Sequence, residues 1–149
     1  SAASDVYKRQ GQEFGATKKS HYNSYNLIDE INGLDYNLRT ARKDMVKYLA
    51  DAIKLRKNMD IFKLDKKEDI VNAVTFENLS HGALLIKYDD KANSRIVYFF
   101  INPTTETVSY KFDNYAKIIF NEAGLINTDF FSQLMIINGL SLIVALSNY

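Results

Sequence analysis

The side chains in this sequence that could do chemistry are few. Glu13 has the type of a catalytic acid, Asp29 and Glu30 are paired carboxylates, and His21 and His81 are the two imidazoles. Acid–base cleavage needs two carboxylates that approach one bond from different directions. Adjacent residues seldom aim at one atom, so Asp29 and Glu30 read as a loop tether or a cap. His81 lies in Asn78-Leu79-Ser80-His81-Gly82 and reads as a turn residue. The absence of cysteine excludes disulfides, thiolate metal sites and cysteine nucleophiles. Two histidines argue against a multi-histidine metal centre. The acidic stretch has the spacing of no standard calcium loop. No metal or other cofactor is expected.

The elements that must position these residues fall into three zones. Residues 11–37 are polar and irregular, with Gly11, Gly15 and Gly33 as punctuation, and read as a long functional loop. Thr40 to Asn58 reads as one amphipathic helix with Thr40 as N-cap. Met45, Val46, Leu49, Ala52 and Ile53 recur at spacings of three and four and form a stripe that belongs in a core. Ile61 to Tyr149 reads as all-β. Runs rich in Val, Ile, Tyr and Phe cover 71–76, 83–88, 95–102, 107–112, 116–121, 134–137 and 141–146. The segment 96–101 is apolar throughout, as in a strand buried on both faces. Asp113-Asn114 reads as a turn, Asn138-Gly139 as a two-residue hairpin turn, and the charged stretch from Lys63 to Asp69 as a solvated turn.

The 149 residues contain 19 Lys+Arg and 18 Asp+Glu, a net charge of +1 that gives no general grip on nucleic acid or anionic membrane. No stretch reaches the length of a membrane span. Aromatics stand at 13%, with ten Tyr, nine Phe and no Trp, and most of those on strands are expected in a core. Residues 1–10 hold neither a starting Met nor an apolar run, and read as a foreign prefix or scar. No compartment is assigned. The order of loop, one helix and β-sandwich suits the last unit of a (β/α)8 barrel followed by an appended domain.

At this point a resemblance enters. Gly11-Gln12-Glu13-Phe14, Thr17-Lys18 and His21-Tyr22-Asn23-Ser24-Tyr25-Asn26 resemble the segment after the eighth barrel strand of type I pullulanases, in the α-amylase superfamily, glycoside hydrolase family thirteen. Asp29-Glu30 matches that family's acidic pair. Asn32-Gly33-Leu34-Asp35-Tyr36 matches its next stretch, with Tyr36 in place of a common Trp. Ala52-Ile53-Lys54-Leu55-Arg56-Lys57 is similar to the signature of its last barrel helix. Ile96 to Asn102 sits where its C-terminal domain has an apolar strand ending in Asn. Tyr22 departs from the pattern, standing between His21 and Asn23.

The resemblance implies a mainly β chain: a C-terminal antiparallel β-sandwich over 60–149, preceded over 11–59 by the last loop and helix of a truncated barrel. It implies a debranching enzyme that hydrolyses α-1,6-glucosidic bonds in pullulan or amylopectin. Such enzymes work by retention, with one carboxylate attacking the sugar and a second protonating the leaving oxygen. The family's catalytic carboxylates lie upstream, so no catalytic residue is carried over, and this polypeptide alone is expected to be inactive. Glu13, in the strand-end motif, is expected to hold structure. Substrate-binding residues are expected at His21, Asn23, Ser24, Tyr25 and Asn26, whose amides and hydroxyls suit sugar hydroxyls and whose tyrosine ring suits a pyranose face. The implied partners are an α-glucan and the missing barrel of the same chain. The other reading is a non-catalytic carbohydrate-binding or interaction sandwich.

Overall fold

The computed structural model describes residues 11–19 and 26–149, and the expected prefix lies outside them. The chain divides into two compact units, Ser1–Ala50 and Asp51–Tyr149.

In the first unit, the zone expected as a long loop contains structure. A 3-10 turn, Gln12–Phe14, is followed by the short helices α1 (Asp29–Asn32) and α2 (Asn37–Ala41) and by the start of α3 (Lys43–Asn58). Helices of four or five residues are too short to print a 3.6-residue period, so the sequence conceals them. The expected single helix from Thr40 is also corrected. Thr40 lies inside α2, and Arg42 breaks the path with φ −115° and ψ 37°. On α3, Leu55 is buried, but Met45, Leu49 and Ile53, at i, i+4 and i+8, are 46%, 37% and 41% exposed. Three members of the stripe expected in the core are thus exposed, while Val46 and Ala52 are half-buried.

The second unit is a sandwich of antiparallel strands. They are β1 (Val74–Asn78), β2 (Leu84–Asp90), β3 (Arg95–Asn102), β4 (Val108–Asn121), β5 (Gly124–Leu125), β6 (Ser132–Ile137) and β7 (Ser141–Asn148). The main sheet runs β1-β2-β3-β7-β4-β5. β4 is shared between two sheets. Its first part pairs with β6 (Val108 with Ile137, Lys111 with Leu134), and its last part with β7 (Lys117 with Leu146). Register shifts between Lys111 and Ala116, so the turn expected at Asp113-Asn114 is instead a bulged strand crossing from one sheet to the other. Asn138-Gly139 is likewise not a hairpin. It joins β6, which pairs with β4, to β7, which pairs with β3 and β4. The charged stretch expected as a solvated turn holds a 3-10 turn, Asp60–Lys63, and helix α4 (Lys67–Ala73).

Side-chain alternation explains the layering. Leu85 on β2, Tyr98 and Phe100 on β3 and Ile143 and Ala145 on β7 meet Val108 and Phe112 on β4 and Met135 and Ile137 on β6. The opposite residues of the main sheet are also covered. Phe62 packs edge-on against Tyr88, with ring centroids 5.0 Å apart, and against Phe99 at 6.3 Å. Hence β3 is buried on both faces, as its unbroken apolar run predicts. Of the aromatics expected in the core, Tyr98, Phe100, Phe112 and Phe120 are buried and Tyr88, Phe99 and Tyr110 half-buried, but Phe130 is 74% exposed and Phe131 38%. Gly124 has φ +91°, and a Cβ there would run into the Asp51 carboxylate. That carboxylate accepts from the Leu125 N–H at 3.3 Å, so β5 is pinned to the second half of α3.

The polar fringe of this core predicts alkaline lability. Burial holds the Tyr88 phenol above its ordinary value of 10.0. Tyr98 is also raised, by burial first and by the neighbouring Tyr110. Burial alone would lower the Lys87 pKa, but hydrogen bonding to Tyr110 and to Glu77, whose Oε2 is 2.9 Å from Nζ, raises it above its ordinary 10.5. All three shifts are upward. The stability they bring is therefore fully present below the unfolded-state values and is lost as pH climbs through the folded ones. Urea midpoints should hold through neutrality and fall above about pH 10, less steeply in Tyr98→Phe. A midpoint that stays level while the other tyrosines ionise would refute this.

Candidate functional site

The sequence places the site in the segment around residues 20–26. Of its expected members, His21, Asn23, Ser24 and Tyr25 lie outside the described residues. Asn26 is described and exposed. Within the first unit, polar contacts join the residues that flank that segment. Lys18 Nζ donates to the Asn32 carbonyl at 3.0 Å and to Asn32 Oδ1 at 3.3 Å. Lys19 Nζ lies 3.3 Å from Glu30 Oε1. Thus two residues preceding the segment are joined to two that follow it. Asn32 Nδ2 in turn donates to the Leu27 carbonyl at 2.8 Å.

A second set of bonds anchors the Gly-Gln-Glu-Phe motif. Arg42 donates to the carbonyls of Phe14 and Gly15 at 3.1 and 2.9 Å. Phe14 is 1% exposed, with its ring 6.1 Å from that of Tyr36. Glu13 is half-buried in the 3-10 turn. Asp29 and Glu30 form the first turn of α1 and are exposed. A carboxylate suits a helix N-terminus, and Glu30 ties the loop through Lys19. The expected tether is therefore observed at Glu30, though the Lys19–Glu30 bond is exposed and contributes at most about 1 kcal/mol. Lys18, Asn32 and Arg42 escaped sequence reasoning. Lys18 and Asn32 stood inside recognised motifs, but only folding pairs them across fourteen positions.

The second unit has a cleft of about 290 Å³ lined by Asp60, Asp69, Asp89 and Asp90 among others. Three of these carboxylates have partners. Asp60 is 2.5 Å from Lys63, Asp90 is 2.6 Å from Arg95 Nε and takes Asn93 as well, and Asp89 accepts from the Tyr149 hydroxyl. The Lys63 hydrogen bond and charge hold the exposed Asp60 carboxyl below its ordinary pKa. Among the described residues, no three His, Cys, Asp or Glu side chains are grouped to hold a metal, and no helix is long and apolar enough to cross a membrane. His81 has φ 58° in the Ser80–Gly82 turn and is exposed, as expected of a turn residue.

No protein-family model matches this chain. A pullulanase of Bacillus subtilis (strain 168) is 43% identical over 60 residues, which is 40% of this chain and 8% of that protein. The crystal structure of a type I pullulanase from the same strain, complexed with maltose, superposes with a TM-score of 0.85 at 23% identity, over 93% of this chain and 20% of that one. A pullulanase from Anoxybacillus sp. LM18-11, complexed with maltotriose, gives 0.81 at 22% identity, again over 93% and 20%. The chain thus spans 8% of the curated relative and about a fifth of the solved ones. At these identities the superpositions speak for the fold, and the 60-residue match speaks for the sequence. Together they make this chain similar in fold, and over 60 residues in sequence, to part of a pullulanase.

Proposed function

We propose that the chain is the C-terminal part of a debranching enzyme that hydrolyses α-1,6-glucosidic bonds in pullulan or amylopectin-type α-glucans. The observation that carries this is the 43% identity over 60 residues to a pullulanase, far above the level at which fold alone is shared. Residues 11–59 are the end of the catalytic barrel in this reading, and residues 60–149 the appended sandwich. The bare stripe of Met45, Leu49 and Ile53 on α3 supports it, since a helix covering a barrel needs an apolar face for the barrel. The maltose and maltotriose bound by the solved pullulanases support an α-glucan as partner.

His21, Asn23, Ser24, Tyr25 and Asn26 form one wall of the sugar site in this proposal. Lys18, Glu30 and Asn32 are positioning residues that close the base of that loop. The sandwich is a support, and the rival carbohydrate-binding role gains nothing from the aromatic cluster, because Tyr98, Phe100 and Phe112 are buried. The chain alone is expected to release no reducing sugar from pullulan, whereas the longer protein containing it does. In that longer protein, Asn23→Ala and Tyr25→Ala should each lower kcat/KM on branched substrate by about tenfold, the worth of one lost hydrogen bond or ring contact. Hydrolysis by the chain alone, or unchanged kcat/KM in both variants, would count against the respective half of the proposal.

A further inference from the structure

Two Asn-Gly steps occur in the chain, Asn32-Gly33 and Asn138-Gly139. Such a step can modify itself. The glycine backbone nitrogen, with no Cβ to hinder it, attacks the asparagine Cγ. The C–N bond to the side-chain amide breaks and ammonia leaves, closing a five-membered succinimide. Water then opens the ring at either carbonyl, producing aspartate or the β-linked isoaspartate. Nothing is oxidised or reduced. We propose that the folded chain carries out this conversion at Asn138 and protects Asn32.

At Asn32 both reacting groups are held. Oδ1 accepts from Lys18 Nζ at 3.3 Å, and Nδ2 donates to the Leu27 carbonyl at 2.8 Å. The nucleophile is held as well, because Gly33 N–H donates to the Asp29 carbonyl at 2.6 Å in the last turn of α1. Attack would require all three bonds to open together.

Asn138 presents the opposite case. It is exposed, between the end of β6 and the start of β7. Among the described residues, nothing bonds its side-chain amide. Its backbone carbonyl accepts twice, from Asn102 Nδ2 at 3.0 Å and from Ser141 Oγ at 2.6 Å. Bonds donated to that oxygen draw electron density out of the adjoining peptide nitrogen. The Gly139 N–H then gives up its proton more readily, and that deprotonation creates the nucleophile. The glycine itself is required by the fold, since a Cβ at position 139 would run into the main chain of Thr105. The packing that joins the two sheets therefore imposes the residue that makes the step labile. Isoaspartate would route the main chain through an extra carbon and add a carboxylate, displacing the carbonyl that Asn102 holds.

The test is a time course in warm, mildly alkaline buffer, with peptide mass spectrometry of positions 32 and 138 and a parallel sample in urea. Position 138 should convert several-fold faster than position 32 in the folded protein, and the two should converge in urea. Asn138→Gln should remove the product from its peptide. Conversion at 138 no faster than at 32 in the folded chain, or confined to the urea sample, would overturn the proposal.

Discussion

Asn102→Asp is expected to lower the stability of the sandwich by about 4 kcal/mol at neutral pH. Asn102 is 1% exposed and uses both ends of its amide. Oδ1 accepts from the Thr104 backbone N–H at 3.2 Å and the Thr104 hydroxyl at 2.8 Å. Nδ2 donates to the carbonyls of Glu106 and Asn138 at 2.7 and 3.0 Å. One side chain thereby joins the end of β3, the connection into β4 and the crossover from β6 to β7. Aspartate keeps the accepting half but turns a buried negative oxygen onto two carbonyls. Asn102→Leu removes both halves and leaves the same groups unpaired, an expected loss of about 2–3 kcal/mol. Acid should narrow the gap between the two variants, because a protonated aspartate can donate where the amide did. Urea denaturation at neutral and acid pH reads all of this. A midpoint for Asn102→Asp no lower than that of a surface control such as Ser109→Ala would defeat the argument.

Asn102 also marks the limit of what could be read in advance. The strand that ends on it was legible to the residue, because Ile96 to Ile101 is apolar throughout, the longest such run on any strand. The bonds its Nδ2 donates were not, because their partners stand four and thirty-six positions away. The same division recurs elsewhere. Alternation identified β4, but Asp113-Asn114, with two good turn formers, hid the fact that one strand serves two sheets. Asn138-Gly139 has the chemistry of a hairpin, and only the pairing of β6 with β4 shows that the chain changes sheets there. Helix α4 was lost among alternating charges, which a short solvated helix and a turn carry equally well. Around the candidate site, the resemblance located the segment, while the clamp of Lys18 on Asn32 and of Arg42 on Phe14 and Gly15 required coordinates. Local preference declares an element, and long-range polar pairing then decides how the elements are joined.

Phe100→Ala should remove about 4 kcal/mol, a large share of the roughly 5–15 kcal/mol that holds a typical domain folded. Phe100 is fully buried. Its ring lies 5.3 Å from that of Tyr110 and 6.0 Å from that of Phe112, both on β4, and 6.3 Å from that of Tyr98 on its own strand. Truncation therefore opens a cavity between two sheets, which cannot collapse without breaking ladders on both sides. Phe76→Ala is the matched control. Phe76 is a strand aromatic of the same size but 70% exposed, so its loss should stay within about 0.5 kcal/mol. The pair separates the two uses the chain makes of its aromatics, which composition alone treats as one. Phe112→Ala should be nearly as damaging as Phe100→Ala. The double variant should lose less than the sum of the singles, because each single already forfeits the shared ring contact. Strict additivity in urea denaturation would mean that the rings stabilise independently and that the cluster is not the joint between the sheets. Losses of equal size at Phe76 and Phe100 would remove the distinction between core and surface on which the argument depends.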